Sequence, residues 1–236
     1  MKHIQKRGRP PKFGQWCTSV AGTNKEDFRE IPRAEKDALL NALIAEQGGL
    51  CAYTMRRIEE GSSHVEHIKP QSLCRAEHRG VDLDYGNLVA CFPRDGMSRR
   101  CRYGAQEKGD WWESDGASFV SPLHPACEQS FHFDLDGNIT PVGNHQDAVV
   151  TIEVLALDHA SLTEDRKRVI VEFIYGPDGD SPLSPAQANQ AAAAICAPYT
   201  GGHFREFCVA IRDALAEYLT FLARLARKRK AARRRR

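Results

Sequence analysis

From Leu50 to about Trp112 the chain loses its apolar periodicity, while helical stripes stand on both sides of the gap. That interruption limits the folds open to it. The segment holds short apolar runs, turns, cysteines and histidines, so the flanking helices must be arranged around a small irregular module. Upstream, "PRAEKDALLNALIAEQ" (Pro32 to Gln47) puts Leu39, Leu40, Ala42, Leu43 and Ile44 on one stripe. Pro32 suits a first helical turn, and Gly48-Gly49 stop the helix. Downstream, a helix is predicted from Ser161 to Tyr175, closed by Gly176, and an alanine-rich one from Ser184-Pro185 to Ala197. A long amphipathic helix from Gly201 to Lys230 carries Phe204, Phe207, Cys208, Ile211, Leu215, Tyr218, Leu219 and Leu222 on one face. "SFHFDLDGNITPV" predicts a hairpin turning at Asp136-Gly137-Asn138. "DAVVTIEVLAL" reads as strand or helix, and its place in the order favours helix.

Within the gap, "LCAYTM" and "VEHI" read as two strands joined by "RRIEEGSS". "YGNLVACF" is a tight turn before an apolar run, and "GAQEKGDWW" has one or two turns of helix. Residues 1–30 look extended, and "RGRPPK" has the composition of basic arms that enter minor grooves. The expected organisation is α+β and mostly helical: an N-terminal arm and helix over 1–49, the irregular module over 50–112, and a hairpin and helical region with a basic tail over 113–236.

With 236 residues, 42% of them hydrophobic, the chain can bury a substantial core. The absence of any apolar run of about 18 residues excludes a membrane-spanning helix. The basic N-terminus has no apolar stretch behind it, so no secretory signal is expected and the cytoplasm is the expected compartment. Eight cysteines in such a chain are reduced or metal-bound rather than bridged, and no CxxC pair supports a zinc finger. Cys196 and Cys208 read as small buried hydrophobes. The formal net charge is only +2, yet "RLARKRKAARRRR" contains nine Lys or Arg and no acid; taking nine from +2 leaves −7 for the rest. Such a tail is either a solvated helix end or a contact for phosphate backbones.

The chemistry concentrates in "HVEHIKPQS", His64 to Ser72. On a strand, His64 and Glu66 share a face, with His67 opposite unless a turn at Ile68-Lys69-Pro70 brings Glu66 and His67 together. A carboxylate is a hard ligand for Mg²⁺ or Mn²⁺, imidazole suits softer ions, and neutral histidine is a good general base. A metal beside a base is what phosphodiester hydrolysis requires. The alternative is a polar surface strand.

The ordered set "EQGGLCAYT", "SSHVEHIKPQS", "DYGNLVACF", "CRYGAQEKGD", "HFDLDGNITP", "IEVLALDHASLTEDR" and "FREFCVAI" resembles the HNH endonucleases of Septu anti-phage systems and their retron-associated relatives over most of the chain. The resemblance implies a small ββα-metal nuclease module within the α+β chain. It implies that His67 is the general base, Glu66 a metal ligand, Asn87 the brace of the loop that orients His67, and Lys108 a phosphate contact. The helix position that usually supplies a further His or Asn ligand offers neither here, so Gln106 or His64 would complete the shell. Relatives often read CxYC where this chain has Cys51-Ala-Tyr-Thr54. A structural zinc on Cys51, Cys91 and Cys101, with Cys74 nearby, stands against buried thiols. The implied cofactor is Mg²⁺ or Mn²⁺. The implied partners are a DNA or RNA substrate, an ABC- or SMC-like ATPase that gates the nuclease, and a retron reverse transcriptase with its DNA–RNA product. The altered ligand position motivates a second function class, a catalytically weak nucleic-acid-binding module on the same scaffold.

Overall fold

The computed structural model describes residues 1–94, 96 and 101–234. Helix α1 (Pro11–Val20) starts with Pro11 at its first turn and buries Phe13, Cys17 and Val20 along one side. This corrects the expectation of an irregular N-terminal arm. The proline pair and Gly14 mask the i, i+4, i+7 stripe, but proline is tolerated in a first helical turn. The preceding residues are also anchored: Met1 and Ile4 are buried, Lys2 pairs with Glu128 at 2.6 Å, and Lys6 pairs with Glu46 at 2.8 Å. Helix α2 (Arg33–Glu46) follows the predicted stripe, burying Leu39, Leu40 and Leu43. Gly48 after it has φ 59°, and a Cβ there would lie 2.4 Å from the Phe204 ring, so glycine is required twice over.

The module contains one two-stranded antiparallel sheet, β1 (His64–His67) with β2 (Leu88–Cys91), in the register His64↔Cys91 to His67↔Leu88. "LCAYTM" is not the expected partner strand. It bends into a turn held by Met55 N–H on Cys51 O at 3.0 Å, and only Leu50 bridges to Arg57. The apolar run after the predicted turn, β2, supplies the partner instead. Its four residues are wholly buried, and the buried Gln47 side chain acts as a substitute strand: its Oε1 accepts from Ala90 N at 2.7 Å and its Nε2 donates to Ala90 O at 2.8 Å. Helix α3 (Gln71–Glu77), which the sequence did not signal, fills the crossover, and α4 (Ala105–Lys108) is the single turn predicted in "GAQEKGD".

Hairpin β3 (Phe131–Phe133) and β4 (Ile139–Pro141) forms as predicted, with Asp134 Oδ1 accepting from Asp136 N and Asn138 N, each at 2.9 Å. Helix α5 (Gln146–Val154) resolves the ambiguous segment as helix. Helix α6 (Ala160–Tyr175) is capped by His159, which accepts from Ser161 N, rather than by Ser161. Helix α7 (Pro185–Ala194) opens on a Ser184–Gln187 capping box. Helix α8 (Cys208–Arg234) begins later than expected because Gly201, Gly202 and Phe204 belong to a loop, where Phe204 N donates to Gly48 O at 3.0 Å. One hydrophobic cluster joins residues from all three sequence segments. No described helix is long and apolar enough to cross a membrane. The chain is thus α+β, about half helical with two small antiparallel sheets.

Candidate active site

Strand alternation decides what β1 can do. His64 and Glu66 are half-buried on one side, while Val65 and His67 are buried on the other. His67 is still a paired strand residue, opposite Leu88, so the turn that would bring Glu66 and His67 together comes too late in the chain. The two neighbours are committed to different surroundings.

On the open side, each group has one end fixed and the other turned toward the pair. His64 Nδ1 lies 2.5 Å from Pro93 O. A carbonyl only accepts, so Nδ1 carries a proton; in the neutral ring the lone pair is then on Nε2. That nitrogen faces Glu66 Oε2 at 3.8 Å. Glu66 Oε1 is held by Lys108 Nζ at 3.2 Å. A histidine whose second ring nitrogen donates to a backbone carbonyl has the geometry typical of metal-ligating imidazoles. His64 Nε2 and Glu66 Oε2 therefore form a two-donor pair. Among the described residues no cluster of three or more His, Cys, Asp or Glu able to hold a metal is present. At 3.8 Å the two atoms stand farther apart than the about 3.0 Å of neighbouring ligands on an octahedral ion at about 2.1 Å, so a shared Mg²⁺ would need the side chains to close in and water or phosphate oxygens to complete its shell. Gln106 is turned elsewhere: its Oε1 accepts from Cys101 N at 2.8 Å.

On the buried side, His67 is 7% exposed and its Nε2 lies 2.9 Å from the Asp82 carbonyl. By the same argument Nε2 is protonated and Nδ1 is the basic nitrogen. The Phe28 ring meets the imidazole edge-on, with centroids 4.6 Å apart. Burial lowers the His67 pKa, against the opposing influence of the Asp82 carbonyl and the Glu66 charge, and so favours the neutral form.

Asn87 grips the chain just beyond β1. Its Oδ1 accepts from Lys69 N at 2.7 Å and its Nδ2 donates to Lys69 O at 2.9 Å, while its own carbonyl accepts from Ile68 N at 2.9 Å. Lys108, implied by the resemblance to contact a phosphate, is 3% exposed and donates to Glu66 Oε1 and to His67 O at 3.3 Å. Its ammonium ties α4 to β1 from beneath. Three participants carry no local signal in the sequence: Asp82, Phe28 and Gln71. Asp82 is fully buried, and its Oδ2 accepts from Phe28 N and from Gln71 Nε2, each at 3.0 Å.

The cysteines considered for zinc do not assemble. Cys74 Sγ donates to Lys69 O at 3.5 Å and Cys101 Sγ to Tyr103 O at 3.4 Å, at different places in the module. Cys51 and Cys91 are both buried and hydrogen-bond each other. Burial pushes the Cys51 thiol up, but the hydrogen bonds from Cys91, Thr54 and Phe92 N outweigh it and bring the thiol down to about 6. Beside His64 opens a cleft of about 450 Å³ whose walls include Arg33, Lys36 and Arg94 along with Asp37 and Glu60.

No family model matches the chain. A protein of Vibrio cholerae serotype O1 biovar El Tor named "Retron Vc95 putative HNH endonuclease" is 30% identical over 168 residues, which is 69% of this chain and 75% of that protein. At that identity and coverage, the chain belongs to the retron-associated HNH endonuclease family.

Proposed function

We propose that the chain is a metal-dependent nuclease that hydrolyses phosphodiester bonds of nucleic acid as the effector of an anti-phage defence system of retron or Septu type. The observation that carries this reading is the division of labour on β1. His64 Nε2 and Glu66 Oε2 lie 3.8 Å apart on one side of the strand, while burial on the other side favours the neutral form of His67, whose Nε2 meets the Asp82 carbonyl. A divalent ion on His64 and Glu66 would stabilise charge on the scissile phosphate and on the leaving oxygen. His67 Nδ1 is the nitrogen that would take the proton from water, which requires water to reach it on the buried face of β1, opposite the His64 and Glu66 pair. Asn87 fixes the peptide that follows β1, and Lys108 holds Glu66 in place from the interior. Mg²⁺ or Mn²⁺ suits the mixed carboxylate and imidazole pair. A phosphate would first meet Arg33, Lys36 and Arg94 in the adjoining cleft. The family context supports an ATPase that gates the nuclease and a reverse transcriptase with its DNA–RNA product as partners, in the cytoplasm.

The full chain, incubated with plasmid DNA and with RNA in Mg²⁺ or Mn²⁺, should cleave at least one of them and stop when EDTA is added. His67→Ala should lower cleavage by about 10²–10⁴, the range for a general base. In calorimetric titration with Mn²⁺, Glu66→Gln should lose affinity and His67→Ala should keep it. Cleavage that resists EDTA, or that survives His67→Ala at full rate, refutes the assignment. That no cluster of three or more ligands occurs among the described residues favours one other reading, a module that binds nucleic acid and cuts it poorly. Binding without cleavage, in the presence of the ATPase and reverse transcriptase partners, would select it.

A further inference from the structure

Helix α8 runs on past the core, with Leu219 and Leu222 still packed against it and the described residues after Leu225 all exposed. Its last buried residue is Tyr218, and the sixteen residues from Leu219 to Arg234 continue for about 24 Å at helical rise. Leu219, Leu222 and Leu225 are half-buried; all seven Lys or Arg in this stretch are exposed, namely Arg224, Arg227, Lys228, Arg229, Lys230, Arg233 and Arg234. No acid follows Glu217. Like charges lie three and four residues apart, as in Arg224/Arg227, Arg224/Lys228, Arg229/Arg233 and Lys230/Arg234, and such spacings destabilise an isolated helix.

The rest of the chain offers an internal counter-charge that is not used. With the nine tail cations set aside, it carries a formal −7. Yet among the described residues no cation of Arg224 to Arg234 pairs with an acid, whereas Arg212, earlier on the same helix, pairs with Glu128 and Asp213. Arg235 and Arg236 lie outside the described residues. The cations also occupy every side of the helix at about 100° per residue, so they present no single reading face. A polyanion with closely repeated charge suits this arrangement, whereas readout of base edges requires side chains on one face.

We propose that the outer half of α8 is a second nucleic-acid contact, apart from the β1 site, which grips phosphate backbones without regard to sequence. It rests on the reading that the substrate is nucleic acid. An acidic body repels a polyanion at long range, so the tail supplies the initial attraction and keeps the strand near the cleft. The helix is the active form, because it holds the cations at fixed spacing along the strand.

The test uses the full chain and the variant Arg227→Gln, Lys228→Gln, Arg229→Gln, Lys230→Gln, since glutamine matches Lys and Arg in helix propensity. Binding to fluorescent duplex DNA and single-stranded RNA of unrelated sequence is measured by anisotropy from 50 to 300 mM salt with EDTA present. Cleavage therefore plays no part, and a failure here is distinct from a failure of the nuclease reading. The variant should bind at least about tenfold more weakly at low salt, and the slope of log K against log salt should flatten by about 0.9 on the duplex and about 0.7 on the single strand for each phosphate that the variant no longer neutralises. Its circular dichroism and melting temperature should match the wild type. An unchanged slope would overturn the proposal. So would polyglutamate displacing the duplex at equal charge concentration, which would point to an acidic protein instead.

Discussion

Asp82 meets His67 through its backbone and is itself fastened through its side chain. One carboxylate oxygen accepts from Phe28 N and Gln71 Nε2, the other accepts from no partner, and the residue is fully buried. A buried carboxylate with an unmet oxygen is costly, so it has to be held by something. Here it joins the segment before α2, helix α3 and the loop whose carbonyl fixes the His67 tautomer. Asp82→Ala should destabilise the fold by about 1–3 kcal/mol, because the buried Phe28 N–H loses its acceptor while the half-buried Gln71 amide can turn to water. Asp82→Asn keeps an amide oxygen for them and should recover much of that loss. The informative readout is the pair of ¹⁵N shifts of the His67 ring. Wild type and Asp82→Asn should show the Nε2–H tautomer alone, and Asp82→Ala a mixture. A single Nε2–H tautomer in a folded Asp82→Ala protein would show that the carbonyl needs no such support. For Asn87, whose side chain bonds both the N–H and the carbonyl of Lys69, Asn87→Ala should lower kcat by about 10–100-fold, as removal of outer supporting contacts does elsewhere, with little change in KM. An effect confined to KM would place Asn87 at the substrate instead.

Among elements, the hairpin and α6 depend on one another. Gly137 has φ 77°, and a Cβ there would meet Thr163 O at 2.6 Å and Lys167 N at 2.7 Å, so the β3–β4 turn sits directly on the helix backbone. Arg166 of α6 is 2% exposed; its Nε donates to Gly137 O at 2.7 Å and its Nη1 to Leu157 O at 2.8 Å. Arg166→Met fills similar space but leaves those two carbonyls unmatched, and should cost about 2–5 kcal/mol in chemical denaturation. A loss under about 1 kcal/mol would mean that water replaces the guanidinium. The elements that the sequence revealed are those with local causes: the α2 stripe with its glycine stop, the Asp-Gly-Asn turn, and the Ser184-Pro185 start of α7. The elements it hid have distant causes. Helix α1 is disguised by prolines and Gly14, and α3 is a short helix whose apolar burial is essentially Cys74. The partner of β1 is set by Gln47, a buried polar residue that only the assembled module explains. The Glu66-His67 pair was visible in the sequence, but its geometry was not. Whether strand pairing reaches His67 depends on Leu88, some twenty residues away.

Across the molecule, the module from Leu50 to Trp112 is tied to the rest at many points. Arg56 pairs with Asp165 of α6. Arg57 donates to Gly48 O, Gly49 O and Phe204 O, and its backbone N–H donates to Glu206 at 3.0 Å. Gly104 N donates to Leu155 O at 2.7 Å, and Phe207 N to Met55 O at 3.1 Å. Lys6 from the N-terminal segment donates to Leu88 O at 3.0 Å, at the start of β2. The wholly buried β2 packs on α2, outside the module, as well as pairing with β1, and a two-stranded sheet alone is marginal in water. Residues 50–112, expressed alone, should therefore show no cooperative melt in circular dichroism. The full chain should unfold in one transition, since a single apolar cluster spans all three segments. Arg57→Ala, which unties the loop before the module from the loop before α8, should lower the midpoint of that one transition without splitting it. Two separated transitions in the variant, or a cooperative melt of the excised segment, would mean that the module folds alone and the helices are an appended body. One transition means that a load on the outer helices acts on the same cooperative unit that holds His64, Glu66 and His67.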